Sequence, residues 1–268
     1  GDVTKGNFFF ESPLAWGRTL RGLARFSLGI PGWRDDFHIG SEMARTVGGI
    51  TQTVVAAYGY AVAVINGVII PDAEIVRDSS VALTNAERLS DNVTLAWARG
   101  GQGLIEAHLD NADLDAATEL LQRGREDARR HGDRLTETLA DAALAECEAN
   151  RGDLDSAIEL SRGLLARLHA CGERLIRSPV TVVLVESLIH RGGTGDVEEA
   201  RAVINELAVA PSEPTHVLSD LPLLRLQALL AHADGDDDAH RRLVDRYSAW
   251  AASLGFEGHR LIAEAMTT

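Results

Sequence analysis

Gly152-Asp153-Leu154-Asp155-Ser156-Ala157 has two close counterparts in the same chain. They are Ala112-Asp113-Leu114-Asp115-Ala116-Ala117 and Gly195-Asp196-Val197-Glu198-Glu199-Ala200. The aspartates at 113, 153 and 196 lie 40 and 43 residues apart. One further step reaches Gly235-Asp236 downstream. Two steps upstream reach Pro71-Asp72-Ala73 and Gly32-Trp33-Arg34-Asp35. A period of this length marks a repeat architecture.

Each part of the corner has a physical task. Gly-Asp ends one helix and caps the next, the carboxylate accepting backbone N–H groups that have no intrahelical partner. The small residue at 117, 157 and 200 lets two backbones approach. Helical spacing follows each corner. Leu154, Ala157, Ile158, Ser161, Leu164, Leu165 and Leu168 form one stripe, and Leu114, Ala117, Leu120, Leu121, Gly124 and Ala128 another. Val197, Ala200, Val203, Ile204 and Leu207 form a third. Apolar runs at Val93–Asp110, Leu135–Asn150 and Val180–Arg191 precede the corners. Alternation of strand type is absent, and Ala and Leu dominate over β-branched residues.

Two helices of about 16 residues and two turns make about 40 residues. The expected fold is therefore all-α, an α-solenoid of about six helical hairpins. It forms a single domain over 1–268 with units near 8–50, 51–92, 93–132, 133–177, 178–210 and 216–268. Leu154→Asp is expected to cost several kcal/mol. Ala208 to Pro222 holds Pro211, Pro214 and Pro222 and interrupts the array, either tilting the last hairpin or serving as a simple crossover.

Composition narrows the function. The net charge of −14 argues against direct nucleic-acid binding, which needs clustered cations. Val54 to Ile70 is the one stretch that resembles a membrane span, but Asn66-Gly67 and Pro71 read as a helix stop, so a buried helix is expected and no membrane partner. Two cysteines, Cys147 and Cys171, give no disulfide framework; Cys147 falls on an apolar stripe, and a cytoplasmic location is expected. The chain opens on Gly1-Asp2-Val3-Thr4, which reads as a segment cut from a larger protein.

Catalytic motifs are missing. No Walker A occurs, and Lys5 is the only lysine. Gly101-x-Gly103 is followed by Glu106 where a dinucleotide fingerprint needs glycine, so helix packing explains these glycines better. Nine histidines form neither HxxxH nor HExxH, and an EF-hand starting at Asp234 would carry Ala239 and Asp245 at positions that need Gly and Glu. No cofactor, no metal and no catalytic residue is expected.

Aromatic residues are unevenly placed. Nine of the thirteen lie within the first 60 residues: Phe8, Phe9, Phe10, Trp16, Phe26, Trp33, Phe37, Tyr58 and Tyr60. Residues 1–66 carry a net +1 and residues 67–268 a net −15. Arg18, Arg21 and Arg25 share one helix face. Two readings stand. Trp16, Arg18, Arg21, Arg25, Trp33, Tyr58 and Tyr60 form a recognition surface, or the aromatics are the core of the first two units.

The repeats resemble tetratricopeptide-like units. Leu144-Ala145 and Ala157 match the small-residue positions, whereas Glu148 and Ser161 replace the consensus aromatics, and the repeat exceeds the usual 34 residues. Gly22-Leu23-Ala24-Arg25-Phe26, Gly29-Ile30-Pro31-Gly32-Trp33-Arg34-Asp35-Asp36, Tyr58-Gly59-Tyr60 and Ala96-Trp97-Ala98-Arg99-Gly100 resemble a more particular group. This is the C-terminal helical region of bacterial multidomain regulators that join an AAA-type ATPase to a nucleotide cyclase or a LuxR-type DNA-binding domain. The resemblance implies a non-catalytic regulatory or sensing module. Its partner would be a protein, a neighbouring domain or a small effector, with homodimerisation through the N-terminal aromatic region as a further expectation. In such stacks the first helix of each pair lines the groove, which makes Tyr58, Trp97, Arg99, Gln102 and Glu106 groove candidates. The alternative is a stand-alone small-molecule-binding protein or enzyme with an aromatic pocket in the N-terminal third.

Overall fold

Backbone capping sets the helix boundaries. Asp113 accepts a hydrogen bond from the Ala116 N–H, Asp153 from Ser156 and Asp236 from Ala239, at 3.1, 3.1 and 2.8 Å. Asp72 accepts from both Glu74 and Ile75 at 2.9 Å. These four corners behave as the sequence predicts. Two others differ. Asp196 is itself the first residue of its helix, and its carboxylate turns back to the Gly193 N–H and the Arg191 guanidinium. Asp35 is exposed in a first turn preceded by Gly32, and no side chain caps that helix.

The computed structural model describes residues 11–89, 91–209 and 216–267. Phe8, Phe9, Phe10, Pro211 and Pro214 lie outside them. The described residues form an all-α fold with mostly sequential helix packing. Chain contacts divide it into two compact units, with the boundaries at either side of Asn66–Val68 and between Ala143 and Leu144.

The first unit comprises the described residues to Ile65 together with Ile69–Ala143. It contains α1 (Pro13–Ser27), α2 (Trp33–Val47), α3 (Gly49–Val54), a π-helical turn at Val55–Tyr60, α4 (Ala61–Ile65), α5 (Ala73–Leu89), α6 (Asn92–Ala107) and α7 (Leu114–His131). It also holds the start of α8 (Arg134–Arg151). Helix α1 packs on α2 and α6 on α7. The run from Val54 to Asn66 is buried except at Tyr58, and α4 stops at Ile65 before Asn66-Gly67. Glycine makes the close crossings in this unit. A Cβ at Gly101 would lie 2.7 Å from the Ala57 Cα, and one at Gly124 2.6 Å from the Gly100 nitrogen.

The second unit comprises Asn66–Val68 and the described residues from Leu144 on. It holds α9 (Leu154–Cys171), α10 (Arg177–Arg191), α11 (Asp196–Val209), α12 (Val217–Ala233), α13 (Asp237–Leu254) and α14 (Glu257–Met266). Its core includes Ile158, Leu168, Leu184, Leu188, Ile204, Leu218 and Tyr247. Leu154 is only half-buried, whereas Ile158 is 0 % exposed, so the core face of α9 is centred one turn later than Leu154. Cys147 is buried and Cys171 exposed. Pro222 lies inside α12, not in the preceding linker. As the sixth helical residue it forgoes one intrahelical bond, to the Leu218 carbonyl, and is itself buried.

The helices that follow the corners begin at Trp33, Ala73, Leu114, Leu154, Asp196 and Asp237, each about 40 residues after the last. Among the described residues no helix is long and apolar enough to cross a membrane.

Candidate functional site

Three helical segments of the first unit present one aromatic side chain each in a row. Trp16 on α1 faces Tyr58 on the π-turn at 6.3 Å between ring centroids. Tyr58 meets Trp97 on α6 edge-on at 5.7 Å. All three are half-buried. The spacing of Trp16, Tyr58 and Trp97 is again about 40 residues, so each occupies a comparable place in its repeat. A π-turn widens the helix locally and re-aims side chains, and Tyr58 is the one residue of that turn not fully buried.

The row ends on a carboxylate. Oδ2 of Asp133 accepts hydrogen bonds from the Tyr58 hydroxyl at 2.8 Å, from Trp97 Nε1 at 2.6 Å and from the Thr136 hydroxyl at 2.6 Å. Its Oδ1 accepts the backbone N–H groups of Leu135 and Thr136. Asp133 thus caps α8 and fixes two rings at once. Burial is the main force holding the Tyr58 phenol far above its ordinary pKa, and the negative charge of Asp133 adds to it. The phenol is therefore a neutral donor, not an acid poised for proton transfer. With five donors already on it, Asp133 is a positioning group and not an open metal ligand. Among the described residues no three His, Cys, Asp or Glu side chains gather into a metal-binding group.

The other candidates separate into four places. Trp33 and Tyr60 belong to the core, where Phe26, Trp33, Phe37 and Tyr60 pack ring against ring at 5.9 to 6.4 Å. Burial pushes the Tyr60 phenol up to about 12. Arg18, Arg21 and Arg25 converge on one carboxylate, that of Asp36, which is 1 % exposed. The Arg21 Nε lies 2.8 Å from it and Arg25 Nη1 also 2.8 Å. The Arg21 pair holds the Asp36 carboxyl below its usual range.

Arg99 pairs with Asp127 on α7 at 2.6 Å. With Gln122, Arg123, Glu126, Asp127 and Arg130 it lines an open cleft of about 260 Å³. Gln102 donates to Glu106 at 2.6 Å, and its buried Oε1 has no partner.

Asp133, Thr136 and Asp36 are absent from the sequence-derived candidates. Gly132-Asp133 has the same Gly-Asp form as the other corners but opens a helix of the alternate series, where the forty-residue register does not look.

The second unit contains a separate buried polar cluster. The Tyr247 hydroxyl lies 2.7 Å from His259 Nδ1, and His259 Nε2 lies 3.0 Å from the Asn66 carbonyl. Burial pulls the His259 pKa down to about 3. Nearby, Glu186 is paired with Arg225, and burial raises its carboxyl pKa.

Compared with known proteins, the chain matches no protein-family model and no curated protein.

Proposed function

We propose that this chain is a non-catalytic helical-repeat module that binds a protein partner or a neighbouring domain and thereby regulates an attached activity. Its finer architecture is read as six tetratricopeptide-like hairpins of about 40 residues. The parent is read as a regulator of the kind that joins an AAA-type ATPase to a nucleotide cyclase or LuxR-type domain. The observation that supports the reading is the half-exposed row Trp16–Tyr58–Trp97, tied down by Asp133. Rigid aromatic side chains offer large contact area with little rotamer entropy to lose, and here two of the three are already held in place.

The test uses the remaining domains encoded in the full-length gene, titrated calorimetrically with this chain. Binding that weakens at least tenfold on Trp97→Ala, in a variant that still melts cooperatively, supports the reading. No binding, a gene that encodes nothing further, or unchanged affinity of the variant overturns it.

A further inference from the structure

Helix α1 carries a second, outward surface that the aromatic row does not use. It has three arginines and no acidic residue. Its inner face is closed by Ala15, Thr19, Gly22 and Phe26. On the other side Leu14, Leu20 and Leu28 are 38, 44 and 43 % exposed, with Ile30 just beyond at 45 %. Gly17 and Ala24 lie between them on the wheel and are exposed too. Arg21 falls among these leucines, and Arg18 and Arg25 run along the border.

Charge distinguishes this surface from the rest of the molecule. Three guanidiniums share the single Asp36 carboxylate, which leaves the cluster at about +2 in a chain of net charge −14. Asp36 is held ionised, so the arithmetic applies at neutral pH. The side chains of Arg18, Arg21 and Arg25 remain 33, 47 and 33 % exposed. Among the described contacts Arg18 binds Asp36 through Nη1 only, and Arg25 binds Asp36 and the Gly32 carbonyl through Nη1 only. Arg18 and Arg25 thus keep Nε and Nη2 off the carboxylate, and Arg21, which holds it through Nε and Nη2, keeps Nη1.

We propose that the outer face of α1 is a docking surface for an acidic amphipathic segment of a partner protein. The partner's apolar side chains would cover Leu14, Leu20 and Leu28, and its carboxylates would engage Arg18, Arg21 and Arg25. The charge excess selects an acidic partner over a basic one, and the exposed leucines select a partner with an apolar stripe over a purely ionic one. Leu20 lies one helical turn beyond Trp16, so the surface borders the Trp16–Tyr58–Trp97 row, but the proposal rests on the leucines and arginines and stands whether or not that row binds anything.

The test titrates the full chain with a synthetic 18-residue amphipathic helix that has leucines along one stripe and flanking glutamates. The control peptide has lysines in place of the glutamates. The Leu20→Ser/Leu28→Ser double variant alters exposed positions only, and circular dichroism checks its fold. The expected result is binding of the glutamate peptide that weakens at least tenfold in the double variant and weakens with added salt, with no binding of the lysine peptide. Equal binding of both peptides, no binding of either, or an unaffected double variant overturns the proposal. So does sedimentation as a dimer that the double substitution dissociates, which would make a second copy the occupant. Co-flotation of the wild type, but not of the variant, with vesicles containing phosphatidylserine would make a lipid surface the occupant and also overturn it.

Discussion

The Tyr247 hydroxyl donates to Nδ1 of His259 across 2.7 Å. The tautomer is set on the other side of the ring: the Asn66 carbonyl, 3.0 Å from Nε2, can only accept, so the proton of the neutral imidazole sits on Nε2 and Nδ1 is the acceptor. Gly67 beside it adopts a φ of +63°, and a Cβ there would press on the imidazole at 3.2 Å. A buried neutral histidine thus ties the 66–68 turn to α13 and α14 within the second unit.

That arrangement makes stability depend on acid. His259 stays neutral in the fold down to about 3, whereas the unfolded chain takes up the proton near 6.5. The unfolded state then binds more protons between these values, and stability falls as pH drops from 6.5 toward 3. The slope for one proton is about 1.4 kcal/mol per pH unit. Denaturant titrations at pH 7, 6, 5 and 4 should show His259→Gln less stable at pH 7 but with a shallower acid slope. Parallel slopes would show that His259 does not titrate this way.

Removing the carboxylate of Asp133 strips a cap and takes the acceptor from the partly buried Trp97 Nε1, while the Tyr58 hydroxyl keeps Thr136 Oγ1 at 2.9 Å. Asp133→Ala should cost about 2–4 kcal/mol, and Asp133→Asn less, because an amide oxygen still caps α8. The Trp97 indole should also change its emission, since Nε1 loses its acceptor. Thermal melts with tryptophan fluorescence check both.

Two glycine substitutions should move stability in opposite directions. At Gly124 the added Cβ meets the backbone of Gly100 at 2.6 Å, so Gly124→Ala should destabilise by about 1–3 kcal/mol despite alanine's better helix propensity. At Gly163 in α9 nothing lies within 4 Å, and Gly163→Ala should stabilise by up to about 1 kcal/mol. Chemical denaturation of the pair reads the contrast directly.

On α9 the sensitive position is Ile158. Ile158→Asp buries an unpaired charge and should cost about 3–5 kcal/mol, while the half-exposed Leu154→Asp should cost clearly less. Equal melting temperatures for the two variants would contradict the orientation of the helix.

Helix type, the repeat spacing and four of the six corners can be read from the residues in order. Each rests on bonds between near neighbours: Asp153 reaches Ser156, three residues on, and the stripe of Leu164 and Leu168 needs only the pitch of the helix. Misreadings cluster where that locality fails. Asp196 follows a corner of the right form but is drawn backward by Arg191. Pro222 is read as linker because its cost to α12 depends on how few bonds it removes, which its neighbours do not announce.

The amphipathic pattern of α1 dictates a helix with one buried face, but not where its arginines go. Their shared target, Asp36, is chosen by the packing of α2 against α1. The aromatic excess near the N-terminus is plain in the composition, yet its division into a buried Trp33–Tyr60 group and a half-exposed Trp16–Tyr58–Trp97 row depends on helix rotation and on the π-turn. Tyr58 finds its acceptor 75 residues away. Such pairings follow from the angle and offset at which helices meet, and many packed side chains fix those together, so no short stretch of chain encodes them.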